Sequence, residues 1–310
     1  MRKILLLVNP LLASRGSRDI ARVLGVFKQA EVEIELLETG ANRAAGGKAK
    51  HAVKQGVDAV IVCGGDGTVF DTLQGLAGSE VPLGILPLGT GNILAKNLRI
   101  PSKPVEAARW LLSASPRAVR LGKITCGVPG GKRSWFFAMA AGMGPHAAMM
   151  EVARRHQKDR TGRAAYFAAG CKLLFSHPLK TFDLEITTVD GKVHERRVSE
   201  VIAVRVAQLN LWRPGGSLES SFLRLASVEG DSRWRLTQAS FQALFLGAGR
   251  RDRTRKSGVA SYEDVLRVEC RPTPGVNYDP SVMVEADGEI LGSSCATIEM
   301  ADVTVMLLSQ

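Results

Sequence analysis

The stretch from Ala59 to Thr68 reads AVIVCGGDGT. Its first five residues form a continuous apolar run, the pattern of a strand buried on both faces of a parallel sheet. Gly64, Gly65 and Gly67 then let the chain turn tightly and let a phosphate approach the backbone. A helix predicted from about Thr68 to Leu76 places free amides and a positive dipole end at that turn, which favours an anion. The same order of strand, turn and helix recurs on either side. Short β-type runs at Ile4–Val8, Val32–Leu37 and Gly84–Leu86 alternate with helical stretches. The spacing of Ile20, Val23, Leu24 and Phe27 predicts a helix with Ser17 as its N-cap. Further helices are expected over Arg43–Gln55, between Gly91 and Pro101, and over Val105–Leu112. This alternation predicts an α/β nucleotide-binding domain with a parallel sheet.

A second turn of the same design follows the strand through Leu86: Pro87, Leu88, Gly89, Thr90, Gly91, Asn92. The first strand ends at Asn9 and Pro10, with Ser14, Arg15 and Gly16 just beyond. Parallel strands point the same way, so these three turns lie on one edge of the sheet, where one nucleotide can touch all of them. From about Ile124 the texture changes to longer strand-like runs: Thr181–Thr188, Val198–Val206, Leu266–Cys270 and Val282–Ala286. Helical exceptions fall near Ala164–Phe175 and Gln238–Leu246.

At 310 residues the chain is about twice a typical single-domain length, which favours two domains. They are expected at 1–123 (α/β) and 124–297 (β-rich), with 298–310 returning to the first. Hydrophobic residues at 45% and charged residues at 23% exclude a disordered tail, a collagen-like repeat and a coiled coil. The five cysteines, Cys63, Cys126, Cys171, Cys270 and Cys295, include no CxxC pair and point to a reducing, cytoplasmic compartment. The histidines His51, His146, His156, His177 and His194 show no metal-ligand spacing, and each tryptophan is expected to pack. A net charge of +11 suits phosphate-rich partners or an anionic membrane surface. The most apolar stretch, Phe136–Met150, is too short to span a bilayer and is broken by Gly142, Gly144 and Pro145, so membrane contact is expected to be peripheral. Two basic clusters could serve it: RRDRTRK at 250–256, and Arg154, Arg155, Lys158, Arg160 and Arg163.

GGDGT at 64–68, PLGTGN at 87–92 and ADGE at 286–289 together resemble the diacylglycerol kinase catalytic family, which includes bacterial lipid kinases and sphingosine kinases. Asn9-Pro10, Thr39, FFAMAAGMG at 136–144 and GRAAY at 162–166 extend the resemblance over nearly the whole chain. It implies a nucleotide domain of the NAD kinase/diacylglycerol kinase-like type and a β-rich, sandwich-type second domain. On that pattern Asn9, Pro10, Thr39 and Gly64, Gly65, Asp66, Gly67 and Thr68 hold ATP, together with Thr90, Gly91 and Asn92. Asp66 acts near the phosphates, directly or through Mg2+. The catalytic base comes from the DGE turn, Asp287 or Glu289. The resemblance further implies phosphorylation of a hydroxyl of diacylglycerol or a related lipid alcohol at an anionic membrane. A homodimer is left open, and no nucleic-acid partner is expected.

Read by themselves, Asp287 and Gly288 follow an alternating run and equally suit a bare hairpin turn. Phosphoryl transfer to an alcohol nonetheless benefits from a carboxylate that accepts the hydroxyl proton. The chain also departs from the family pattern. Phe70 stands where an Asn is usual and Asp71 where a Glu is, His146 replaces an Asp, and Ala138 an Asn. Leu218–Phe222 keeps one carboxylate, Glu219, where bacterial members often hold a structural magnesium, so no metal site is expected there. The competing readings are a NAD kinase or other soluble small-molecule kinase, and a catalytically silent nucleotide-binding protein.

Overall fold

The computed structural model describes residues 1–10, 17–40, 44–128, 130–147, 179–209, 212–241, 260–271, 282–293 and 295–310. Ser14–Gly16, the segment holding the 154–163 basic cluster and GRAAY, and the RRDRTRK stretch lie outside the described residues. So do the helix expected at Ala164–Phe175 and the end of the one expected at Gln238–Leu246. The chain forms two compact units, Met1–Leu121 with Ala301–Gln310, and Gly122–Met300.

In the first unit β1 (Lys3–Val8), β2 (Glu33–Glu38), β3 (Ala59–Gly64) and β4 (Leu83–Pro87) form a parallel sheet ordered β2-β1-β3-β4. Every residue of β3 and β4 is buried, as expected for strands covered on both faces, whereas edge strand β2 is half exposed. Helices α1 (Ser17–Gln29), α2 (Ala45–Lys54), α3 (Asp66–Leu76), α4 (Ile93–Asn97) and α5 (Pro104–Ser113) fill the connections. Ser17 is already helical, one position inside its expected role as cap. α2 and α3 meet through glycine: a Cβ on Gly75 would lie 2.0 Å from the Gly46 carbonyl oxygen. α2 has no capping side chain at Ala44, and its first amide, Ala45, donates instead to Asp71 Oδ2 of α3 at 2.8 Å. Asp71 therefore caps a helix, and Phe70 is a core side chain, 1% exposed. Late in the chain β14 (Ala296–Ser309) pairs with β4 in parallel at Leu307 and Leu83, and the Gly78 amide donates to the Thr304 carbonyl at 2.8 Å.

The second unit is antiparallel and strand-rich. β5 (Ser115–Val128) enters it and pairs with β6 (Gly131–Phe137). β7 (Ala140–Met143), β8 (Phe182–Thr188), β9 (Val193–Val204), β10 (Leu223–Glu229), β11 (Ala260–Arg271), β12 (Met283–Ala286) and β13 (Glu289–Ser293) follow. One path runs β13-β12-β7-β9-β10-β11. β9 and β11 are long enough to pair with β8 through one half and with β10 through the other, so β8-β9-β10-β11 returns to β8. β9 starts five residues before the strand expected at Val198. The charged stretch from His194 to Arg197 alternates in burial and pairs with β8, a tertiary match that local composition does not announce. α6 (Arg233–Phe241) rests on Val228 and Ala260 through Leu236 and Ala239, with Leu179 and Tyr262 against the same cluster.

Candidate functional site

The first unit has its topological switch between β1 and β3: the chain leaves β1 for β2 on one side and β3 for β4 on the other. Open α/β sheets bind ligands beyond the strand ends at such a point. Asn9 closes β1 there. Its amide donates to the Cys63 carbonyl at 3.1 Å, and its Nδ2 donates to Thr68 Oγ1 at 3.3 Å, so the two strand ends are tied across the crevice. Pro10 follows, half-buried. Thr39, at the end of β2, is buried and its amide donates to the Val8 carbonyl at 2.8 Å.

The two glycine turns touch backbone to backbone. A Cβ on Gly89 would lie 2.5 Å from the Gly65 Cα, and one on Gly64 would lie 3.0 Å from Thr68 Oγ1. Gly65, the N-cap of α3, contributes no capping side chain, and the Thr68 amide already donates to the Gly65 carbonyl at 3.0 Å, so an anion at this turn would meet the amides before it, those of Asp66 and Gly67. Asp66 ties the first turn to the second. Its Oδ1 accepts from the Ile93 amide at 2.7 Å, and its Oδ2 lies 2.6 Å from where a Cβ of Gly91 would be. Burial pushes its carboxyl up, against the Ile93, Leu94 and Asn92 amides and Lys96, which pull it down. It caps α4, a task Asn92 cannot perform. Asn92 is left-handed, with φ +48°, and spends its side chain closing its own turn on the Gly89 amide and carbonyl at 3.0 and 2.7 Å. Thr90 stands exposed at the tip. The first unit thus brings the residues expected to hold the nucleotide to one edge of the sheet, and the surroundings fit a phosphate chain: backbone that only glycine permits, a helix start with no capping side chain, and the hydroxyls of Thr68 and Thr90.

In the second unit the DGE turn joins β12 to β13 with both central residues left-handed, Asp287 at φ +48° and Gly288 at +84°. The Asp287 carboxylate is buried against the start of β7. Its Oδ2 accepts from the Ala138 amide at 2.9 Å, and its Oδ1 from Met139 and Ala140 at 2.8 and 2.9 Å. Burial pushes this carboxyl up to about 7, with Glu285 adding to the rise, although the three amides pull it down. Among the described residues three amides donate to this carboxylate, which has four acceptor sites, so one on Oδ2 is left over. Glu289 is half-buried on β13.

Beside this turn lies a group that the sequence reading passed over as an ordinary histidine. His146 Nδ1 pairs with Glu200 Oε1, while its amide donates to Glu200 Oε2 at 2.9 Å. Its Nε2 meets Glu285 Oε1 at 3.2 Å, and Glu285 Oε2 accepts from the Gly288 amide at 2.8 Å. Burial alone would lower the imidazole's pKa; Glu200 first and Glu285 second outweigh it and push it up to about 10. At the loop where the carboxylate pair is missing, a different cation is present. Arg205, fully buried, donates through Nη2 to the carbonyls of Leu218 and Ser220 at 3.0 and 3.4 Å. Trp234 departs from the packing expected of it and is 68% exposed on α6.

Residues 3–124 match the diacylglycerol kinase catalytic domain. The chain is 31% identical over 241 residues to a diacylglycerol kinase of Mycobacterium tuberculosis, covering 77% of this chain and 72% of that one. A diacylglycerol kinase of Bacillus subtilis is 29% identical over 184 residues, 58% of this chain and 57% of the relative. In fold, the chain superposes on a Bacillus anthracis diacylglycerol kinase with a TM-score of 0.65 at 20% identity, covering 100% of this chain and 97% of that one. A yeast NADH kinase shares the fold more distantly, at TM-score 0.51 and 10% identity, over 100% of this chain and 84% of that one. A glycine-built anion cradle at a switch point, a DGE hairpin and this extent of identity lead to one assignment: the chain belongs to the diacylglycerol kinase catalytic family and is an ATP-dependent lipid kinase.

Proposed function

We propose that the enzyme transfers the γ-phosphoryl group of ATP to a hydroxyl of diacylglycerol or a closely related lipid alcohol. The observation that carries the nucleotide half is the crevice between β1 and β3, tied by Asn9 and Thr68 and floored by the touching glycines Gly65 and Gly89. There the amides at the start of α3 bind phosphate oxygens, and Thr68 and Thr90 offer hydroxyls. Asp66 holds the second turn against the first, so its part in catalysis is to shape the cradle. Magnesium would travel with the nucleotide and neutralise charge on its phosphates. Among the described residues no group of three or more His, Cys, Asp or Glu side chains is arranged to hold a metal ion.

Asp287 is the base in this reading. A carboxyl pushed up to about 7 is matched to proton abstraction near neutral pH, and its open Oδ2 position can accept a hydroxyl proton. Glu289 is the second carboxylate of the turn. Every group named comes from one chain, so the reading does not call for a second copy.

The acceptor is reached at an anionic membrane surface. No helix among the described residues is long and apolar enough to cross a membrane. Trp234, exposed and flanked by Arg233 and Arg235, combines an interfacial aromatic with cations on both sides. The first turn of α6 carries Arg233 and Arg235 and no acidic residue.

The experiment is transfer of labelled phosphate from [γ-32P]ATP to diacylglycerol in anionic vesicles. Wild type should produce labelled phosphatidic acid, and Asp287→Asn should lose at least a hundredfold in turnover while binding ATP as before. Turnover unchanged in Asp287→Asn would remove its role as base. Absence of transfer to any lipid alcohol, with ATP still bound, would remove the proposed acceptor.

A further inference from the structure

We propose that His146 is the positioning residue of the carboxylate turn: its ring, gripped between Glu200 and Glu285, holds Glu285 where it seats the Gly288 amide and so fixes how Asp287 presents its oxygen. The inference deepens the reading of Asp287 as base and rests on it for its catalytic meaning.

The ring's place is built into the backbone. Glu285 and Gly142 are cross-strand partners on β12 and β7, and the imidazole covers Gly142, where a Cβ would lie 2.6 Å from its Cε1. Gly144 is left-handed, with φ +124°, and a Cβ there would lie 2.8 Å from the Ser199 carbonyl oxygen. Two glycines thus clear the path that brings His146 over β7. Glu200 reaches it from β9 and Glu285 from β12, so one ring joins three strands. Each contact continues into the next: Glu200 to both the ring and amide of His146, the ring to Glu285 Oε1, and Glu285 Oε2 to Gly288, next to Asp287.

The charges make the arrangement functional as well as structural. With the ring protonated, the buried group carries one positive and two negative charges, and Asp287 is the further carboxylate beside Glu285. Glu285 already raises the Asp287 pKa, and burial shields none of that repulsion. Taking away the imidazolium leaves Glu285 unbalanced next to the base. Neutralising Glu285 acts in the opposite sense, because a glutamine still offers an oxygen to the Gly288 amide.

The test compares wild type with His146→Asn, Glu285→Gln and the double variant, using diacylglycerol vesicles and ATP for turnover. Alongside, the Asp287 carboxyl is titrated by 13C NMR in substrate-free, aspartate-labelled protein, assigned against Asp287→Asn. His146→Asn should move the acidic limb of kcat and the Asp287 midpoint up together by about one unit, lowering kcat at pH 7 about fivefold and leaving KM for ATP unchanged. Glu285→Gln should move both down, and the double variant should return towards wild type. An Asp287 midpoint unmoved in folded His146→Asn, or shifts of the same sign in the two single variants, would overturn the proposal. Where His146→Asn does not fold, Glu285→Gln decides, its downward shift supporting the proposal and no shift overturning it. Full turnover in Asp287→Asn would refute the base instead, and the NMR midpoints would still judge His146.

Discussion

A methyl group at Gly89 has nowhere to go, because the atom it meets at 2.5 Å is the Cα of the facing turn rather than a movable side chain. Gly89→Ala should therefore cost about 1–3 kcal/mol of stability by overpacking and weaken ATP binding at least tenfold, as read by urea unfolding and calorimetry. His146 gives a pH signature. Its pKa is raised from 6.5 to about 10 on folding, so its contribution to stability is complete below 6.5 and is lost as pH rises through 10. Chemical denaturation should show wild type losing stability between pH 7 and 10, with His146→Asn losing less across the same window. Some of this was legible in the sequence. The glycines of GGDGT announce a tight anion turn because the cause is local. The tasks of Asp66 and Asp71 were not, because each caps a helix whose first amide is set by packing, 27 and 26 residues away along the chain. Phe70 was read as a lost polar contact, yet its burial makes it part of the core.

Among the elements, α2 and α3 depend on a glycine contact. Gly75→Ala places a Cβ 2.0 Å from the Gly46 carbonyl, and neither backbone can step aside without moving a helix. The helices would have to separate, uncovering the buried face of α3 and pulling Asp71 from the Ala45 amide. A loss of at least about 2 kcal/mol is expected from thermal or urea unfolding, larger than the usual effect of a glycine-to-alanine change in a helix. β1, β3 and β4 could be read because their runs are almost wholly apolar, and β2 because Ile34, Leu36 and Leu37 stand among glutamates on an edge strand. β5 could not: Ser115, Pro116 and Arg117 at its start are exposed, and its strand character comes from its partners β14 and β6. β9 was begun too late for the same reason. Its charged half is held by β8, and pairing of that kind is invisible in a single strand's composition.

At the level of the whole molecule, the proposed membrane contact would draw on net charge and the α6 arginines and so be salt-dependent. Each basic residue near an anionic surface contributes about 1 kcal/mol, so Arg233→Gln with Arg235→Gln should weaken binding to phosphatidylglycerol vesicles about thirtyfold. Trp234→Ala should weaken it further, while phosphorylation of a short-chain, dispersed acceptor stays at wild-type rate. Sedimentation with vesicles measures the first two effects, and equal binding by all variants would exclude α6 as the contact. The sequence disclosed the charge but not which element presents it, since exposure of a tryptophan is decided by what the fold leaves uncovered.

The pairing of Leu307 with Leu83 also bears on how the protein is made. During synthesis the nucleotide-binding unit emerges early, but the strand that covers the outer edge of β4 is translated some two hundred residues later. Until then that edge is an unpaired row of amides and carbonyls, open to pairing with a neighbouring nascent chain. A ribosome-released fragment of residues 1–121 should accordingly aggregate, and grafting residues 301–310 onto it through a flexible tether should restore a monomer.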